Sequence, residues 1–421
     1  MAATRELSHV YPLGSRVNQA GRLEVGGCDV VELAREHGTP AYLVAEDDLR
    51  ARARAFTQAL AARHDDFEVL FGSKAFPSTA ACRVFAEEGL GCDVASGGEL
   101  HLALAGGFEA ARIFLHGNAK SEDELRYALD VGVGHVVIDN FDDIDLLERL
   151  VAPGGSQRVM VRVTPGIKPT THDFISTGQL DSKFGLGLDE ARAAIERLHG
   201  SERLELVGLH MHIGSQIFEL GAFRRAIEAL AELGEFEVYN LGGGLGVAYT
   251  AEDEPPSIEA YVEAKVGAAH QALGPDRRLL IEPGRALVAN AGVTVYTVQS
   301  VKRGLSTYVG VDGGMSDNLR PMLYGSVYEA AIADRLQAGG ELCHVAGKHC
   351  ESGDVIVHDV HLPDPRPGDV LVTPATGAYG HAMANNYNGV PRPPVIFCKD
   401  GRARVVVRRE TYDDLLARDS G

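Results

Sequence analysis

The run LVGLHMHIG (206–214) is apolar at almost every position and stops at a glycine. A strand with one wet face alternates apolar and polar residues, so a short run without clean alternation reads as a strand buried on both faces. Seven further runs have the same form: EVLFGSKA (68–75), GCDVAS (91–96), RIFLHG (112–117), HVVIDN (135–140), VMVRVTPG (159–166), FEVYNLGG (236–243) and LLIEPG (279–284). Helical periodicity fills intervals between them, over 121–131, 142–151, 189–198, 220–233 and 257–272. Eight strand–helix alternations predict an α/β chain built on a (β/α)8 TIM-like barrel rather than an open sheet. The interval between the fifth and sixth runs is the longest, and its segment PTTHDFISTGQLDSKFG (169–185) reads as a loop.

Beyond residue 285 the texture changes. VTVYTVQSV, TYVGVDGG, DVIVHDV, DVLVTPA and VIFCKDGRARVVVRR are separated by turn residues with few helical intervals, and Lys399–Asp400–Gly401 makes a hairpin turn. This predicts a mostly antiparallel β-domain. The expected division is 46–284 for the barrel, with 1–45 joining 285–421 in the β-domain.

Lys and Arg total 40 against 59 Asp and Glu, a net charge of −19, which argues against nucleic acid or an anionic membrane as the partner. No apolar run approaches the roughly 18 residues that span a bilayer. The segment MAATRELSHVYPLG lacks a signal-peptide pattern, and the six cysteines form no CxxC pair or zinc spacing. A reducing, cytoplasmic setting is therefore expected.

Chemistry-bearing residues cluster at the C-terminal ends of the expected strands, the face on which such barrels work. They include Lys74, His116, Asn118, Asp139, His210, His212, Gly242 to Gly244, Glu282 and Arg285. Lys74, in FGSKAF, is either a lysine reaching water from a strand end or a partly desolvated amine able to form a Schiff base. LGGGLG (241–246) is either a tight strand-to-helix turn or a phosphate cradle. It lacks the dinucleotide fingerprint, because Val247 stands where GxGxxG needs glycine. His210 and His212 share one face and could pair on a metal, but no third ligand has matching spacing, so no metal is expected. An imidazole stacked on a flat cofactor, or a hydrogen-bonded barrel histidine, are the other readings. Glu282 needs a partner, because burying a lone carboxylate is costly. Arg285 is one candidate and a pyridinium nitrogen another.

Read in order, FGSKAF, GCDVASGGEL, FLHGNAKS, GLHMHIGSQI, LGGGLG, IEPGR, DGGMSDNLRPMLY, GKHCESGD, ATGAYG and NYNGVPRP resemble the fold-type III decarboxylases that use pyridoxal 5'-phosphate (PLP). The last several motifs resemble the diaminopimelate branch in particular. The resemblance implies an alanine-racemase-like barrel with a β-domain, and removal of a carboxylate from meso-2,6-diaminopimelate to give L-lysine. It implies Lys74 as the covalent attachment point of PLP, Glu282 on the pyridine nitrogen and His212 on the ring face. Ser215, Gly243, Gly244, Gly284 and Arg285 would form the phosphate site. Arg285, Arg320 and Tyr324 would hold the substrate's distal carboxylate, and Glu351 its distal amine. Cys350 would be the proton donor, and Tyr379 would line the cofactor and substrate site. It further implies a homodimer whose Cys-Glu pair completes the neighbour's site. FGSKAF departs from the usual tyrosine–alanine–x–lysine–alanine–asparagine, and Met211 replaces a usual cysteine or serine; neither touches an implied role. A paralogue acting on another basic amino acid is the main alternative. A racemase would carry arginine at the ring nitrogen, so Glu282 and Cys350 argue against one. A non-catalytic PLP binder would lack Lys74, Cys350 or the β-domain.

Overall fold

The computed structural model describes residues 7–167, 182–337 and 339–421, so most of the loop expected over 169–185 lies outside the described residues. The chain divides into two compact units. One comprises Ala51–Gly246 and Pro255–Ala286, the other Met1–Arg50, Val247–Glu254 and Leu287–Gly421.

In the first unit eight strands close into a barrel. They are β1 (Phe67–Gly72), β2 (Gly91–Val94), β3 (Ile113–Leu115), β4 (His135–Ile138), β5 (Gln157–Val163), β6 (Leu204–Met211), β7 (Val238–Asn240) and β8 (Arg278–Ile281). Each pairs in parallel with the next, and β8 closes on β1 with Leu279, Leu280 and Ile281 opposite Phe67, Glu68 and Val69. This is the (β/α)8 architecture that the strand runs predict. Five of the helices between strands begin where polar caps sit in the sequence. Ser78, Ser96, Ser121, Asn140 and Ser257 each accept a first-turn amide, worth about 1 kcal/mol apiece.

Leu70, Phe114, Val137, Met160, Val238 and Leu280, from six of the strands, form one buried cluster in the barrel. Truncating Phe114 to alanine would remove about 3–5 kcal/mol of stability. The register of β6 on β5 shifts between Leu206 and Gly208. A Cβ at Gly208 would lie 1.9 Å from the Val238 carbonyl oxygen, so only glycine permits the close approach of β6 to β7.

Strands end sooner than the apolar runs suggest. β1 stops at Gly72, and Ser73–Ala75 form a 3-10 turn in which the Ser73 hydroxyl donates to Glu99 at 2.6 Å. Lys74 therefore stands on a turn beyond the strand rather than in it.

The second unit holds a sheet built around the long strand Gly292–Arg303. That strand pairs antiparallel with Ala41–Ala45, Thr307–Val311 and Val370–Thr373. Two parallel pairs, Ala41–Ala45 with Val395–Lys399 and Thr307–Val311 with Glu341–Ala346, interrupt the antiparallel pattern. Val395–Lys399 turns back on Arg402–Val407 through Asp400 (φ 50°) and Gly401 (φ 72°), the left-handed pair that a two-residue hairpin needs. Among the described residues no helix is long and apolar enough to cross a membrane.

Candidate active site

Glu282, the first residue past β8, is 6% exposed and is met by three side chains. His116 Nε2 lies 2.9 Å from Oε1, His210 Nε2 lies 3.1 Å from Oε2, and Asn240 Nδ2 donates to Oε1 at 2.6 Å. Burial pushes the Glu282 carboxyl's pKa up, but the His116 and His210 imidazoles outweigh it and hold it well below the usual carboxylate range. Burial drives the His210 pKa down to about 4, so that ring is neutral at neutral pH. His116 is opposed by burial but raised by Asp93, whose Oδ1 is 3.6 Å away, and by Glu282. The barrel thus maintains a buried carboxylate anion at its C-terminal mouth, where a protonated ring nitrogen can pair with it. The expectation that Glu282 is partnered holds, but by histidines and an asparagine. Arg285 instead donates to the Ser215 hydroxyl through Nε at 3.1 Å and Nη2 at 2.9 Å.

His212 follows β6 and is half-buried. Its Nδ1 accepts the Gly243 amide at 3.3 Å, which fixes the ring's orientation and puts the proton on Nε2. Burial, followed by the charges of Lys74 and Arg162, holds its pKa well below the usual histidine range, so it presents a neutral flat face. Among the described residues the one cluster with metal-ligating geometry is His116, His210 and Glu282, which includes His210 but not His212. The imidazole nitrogens of that cluster already sit at hydrogen-bond distance from the carboxylate oxygens.

Lys74 is exposed between buried Ser73 and Ala75. Its turn is tied to the Glu282–Pro283–Gly284 turn, because the Gly72 amide donates to Pro283 O at 3.1 Å. A Cβ on Gly284 would stand 3.1 Å from Gly72 O and 3.3 Å from the Ala75 Cβ. Gly244 (φ 109°) leaves no room for a side chain, whose Cβ would meet Gly214 O at 2.7 Å. One barrel rim therefore gathers Lys74, His212, Ser215, Gly243, Gly244, Glu282, Gly284 and Arg285. PLP is a flat aromatic aldehyde bearing a phosphate and a basic ring nitrogen. An amine, a neutral imidazole face, a sustained carboxylate and a glycine–serine–arginine anion cradle fit it part by part.

The β-unit holds the other expected residues. Arg320 is buried at the start of the short helix Arg320–Tyr324, donating to the Tyr328 hydroxyl and lying 4.4 Å from the Tyr249 ring centre. Its Nε has no hydrogen-bond partner among the described residues. Tyr324 ends the same helix half-buried, and Tyr379 adopts φ 61°, an uncommon left-handed backbone for a bulky residue. Cys350 and Glu351 are exposed on the loop after Glu341–Ala346. Asn388 Oδ1 accepts the Cys350 amide at 3.1 Å, and the Tyr387 hydroxyl donates to Glu351. Asp354 anchors the loop by accepting the His349 and Met315 amides at 2.9 and 2.8 Å.

Asn240, Asp93, Tyr249, Tyr328 and Asn388 escape sequence reading as contributors. The asparagine in YNLGGG, polar at the end of an otherwise apolar strand, was the available signal.

Residues 46–289 match the family model described as pyridoxal-dependent decarboxylase, pyridoxal binding domain. The chain is 47% identical to the diaminopimelate decarboxylase of Bacillus subtilis (strain 168), over 96% of this chain and 97% of the relative. It is 46% identical to that of Actinosynnema pretiosum subsp. auranticum, over 97% and 95% respectively. In structure it superposes on diaminopimelate decarboxylase from M. jannaschii in complex with L-lysine, with a TM-score of 0.90 at 31% identity, covering 96% of this chain and 97% of that one. The chain belongs to the PLP-dependent decarboxylases, in the diaminopimelate decarboxylase family.

Proposed function

We propose that this chain removes the carboxylate of meso-2,6-diaminopimelate to give L-lysine and CO2, using PLP. The observation that carries the reading is Glu282, kept anionic by His116 and His210 and held by Asn240 on the same rim as Lys74. Solved relatives from M. jannaschii and Helicobacter pylori that hold L-lysine support the product.

When bound, PLP supplies an electron sink for the pair released as the carbon–carboxylate bond breaks. Glu282 holds a proton on the ring nitrogen, which keeps that sink strong. His212 would meet the ring face, and the Lys74 amine would provide covalent attachment. Ser215, Gly243, Gly244, Gly284 and Arg285 grip the phosphate. Arg320 and Tyr324, with Arg285, hold the distal carboxylate, and the planar fork of arginine suits it. Glu351 takes the distal ammonium, and Cys350 delivers the proton that replaces the lost carboxylate. Tyr379 lines the shared cofactor and substrate space. The exposure of Cys350 and Glu351 fits a homodimer in which each chain completes its neighbour's site. The barrel occupies 46–284 and the β-domain 1–45 with 285–421 in this reading, and the protein works in the cytoplasm.

A CO2-release assay on the PLP-loaded protein tests this, comparing meso-diaminopimelate with L-lysine, L-ornithine, L-arginine and their D-forms. Selective turnover of diaminopimelate, abolished by Lys74→Ala, is expected. Turnover of a different amino acid would sink the substrate assignment, and absence of PLP absorbance would sink the whole reading.

A further inference from the structure

Helix Ile258–Leu273 buries the stripe Tyr261, Val262, Lys265, Val266 and Ala269. Lys265, at 0% exposure, is the one charged member of that stripe. Its Nζ donates to three consecutive carbonyls of the glycine loop, Leu241 O at 2.6 Å, Gly242 O at 2.8 Å and Gly243 O at 3.1 Å. It also lies 4.6 Å from the ring centres of both Phe223 and Tyr261. An ammonium carries three donors and no acceptor, so these carbonyls use it completely. Burial holds the amine's pKa well below the usual lysine range, opposed by the Glu282 carboxylate. The three acceptors and two aromatic faces favour the charged form. A leucine would fill the stripe without the cost of desolvating a cation, so the lysine is explained by what its hydrogen bonds do.

A trans peptide points its C=O and its N–H in opposite directions. Three carbonyls turned toward Lys265 therefore turn the amides of Gly242, Gly243 and Gly244 away from it. The Gly242 amide meets Asn240 Oδ1 at 3.0 Å and the Gly243 amide meets His212 Nδ1 at 3.3 Å. The third amide belongs to Gly244, whose close neighbour Gly214 is bonded to Ser215. We infer that Lys265 is a positioning residue for the cofactor's phosphate, holding the 243–244 peptide so that the Gly244 amide faces the anion cradle of Ser215 and Arg285. This rests on the reading of those residues as the phosphate site.

The test is the affinity of the full-length apo-protein for PLP and for pyridoxal, which lacks the phosphate, measured by absorbance titration. Lys265→Met is expected to weaken PLP binding by about tenfold or more, the equivalent of one charge-assisted hydrogen bond, with pyridoxal changed less than about twofold. Unchanged PLP affinity would overturn the inference, as would equal weakening of both ligands, which is what a merely structural lysine gives. If the Met variant does not fold, Lys265→Gln, which keeps two N–H donors without the charge, is read by the same two criteria. Ser215→Ala runs alongside. A loss of PLP preference in Ser215→Ala but not in the Lys265 variant refutes the role of Lys265 alone. No loss in Ser215→Ala refutes the phosphate site beneath it.

Discussion

Asn240 donates its side-chain amide to Glu282 at 2.6 Å while its carbonyl oxygen accepts the Gly242 amide at 3.0 Å. One buried side chain therefore links the Glu282 carboxylate to the glycine loop. With His116 and His210 on the same carboxylate, Glu282 is oriented by three neighbours and kept charged by two. If Glu282 meets the cofactor as proposed, a carboxylate so held would act on it electrostatically, and such preorganised groups are worth about 10²–10³ in kcat. Glu282→Gln keeps the shape and removes the charge. We expect kcat to fall by about that factor, measured at saturating PLP with occupancy read from cofactor absorbance. A loss of rate fully accounted for by lost occupancy would make the residue merely structural.

Arg320 sits against Tyr249 with its hydrogen bond to Tyr328, and its Nε has no hydrogen-bond partner among the described residues. Lysine at this position keeps a positive charge but loses the planar fork and the ring stacking. Arg320→Lys should raise KM for diaminopimelate by about 10²-fold, equivalent to about 2.7 kcal/mol, with a smaller change in kcat. Steady-state kinetics separate the two. A KM within about twofold of the parent would remove Arg320 from the substrate grip.

The barrel was legible because both-faces-buried strands leave an unambiguous apolar signature, repeated eight times between helical intervals. The rim residues were legible because charge at the end of an apolar strand is unusual. Residues acting through others were not. Lys265 falls within the helical interval 257–272 with no motif to mark it, and its i, i+4 spacing from Tyr261 places it on the buried stripe. Asp93 falls inside GCDVAS with no polar neighbour to mark it, and only the closed barrel brings it 3.6 Å from His116. Arg285, one of the two partners offered for Glu282, bonds Ser215 instead, because proximity in sequence is a poor guide across a barrel. His116 and His210 arrive from strands β3 and β6.

If Cys350 and Glu351 serve the neighbouring subunit, defects in Lys74 and Cys350 must complement each other. Mixed dimers of Lys74→Ala and Cys350→Ala chains contain one site with both defects and one with neither. Random reassortment makes half of all dimers mixed, so about a quarter of parental activity should return. The measurement is CO2 release after denaturing and refolding the two inactive proteins together. Activity that stays at the level of the separate variants would place both residues in the same chain's site.

His135, at the start of β4, stacks on Phe114 with ring centres 4.2 Å apart and planes within 5°. Its Nδ1 has no hydrogen-bond partner among the described residues. Burial, helped by Arg158 and Arg278, lowers its pKa from 6.5 to about 4. A histidine with a depressed folded pKa binds its proton more readily when unfolded. Its contribution to stability is therefore fully present above pH 6.5 and is lost as the pH falls toward about 4. His135→Gln removes that titration. His210 and His381, which burial also lowers to about 4, titrate in both proteins and cancel in the comparison. The stability difference between parent and variant should change with pH only between these limits, with a slope approaching about 1.4 kcal/mol per unit. Urea unfolding at a series of pH values measures it. Parallel curves across that window would mean that His135 takes up its proton as easily in the folded barrel as in the unfolded chain.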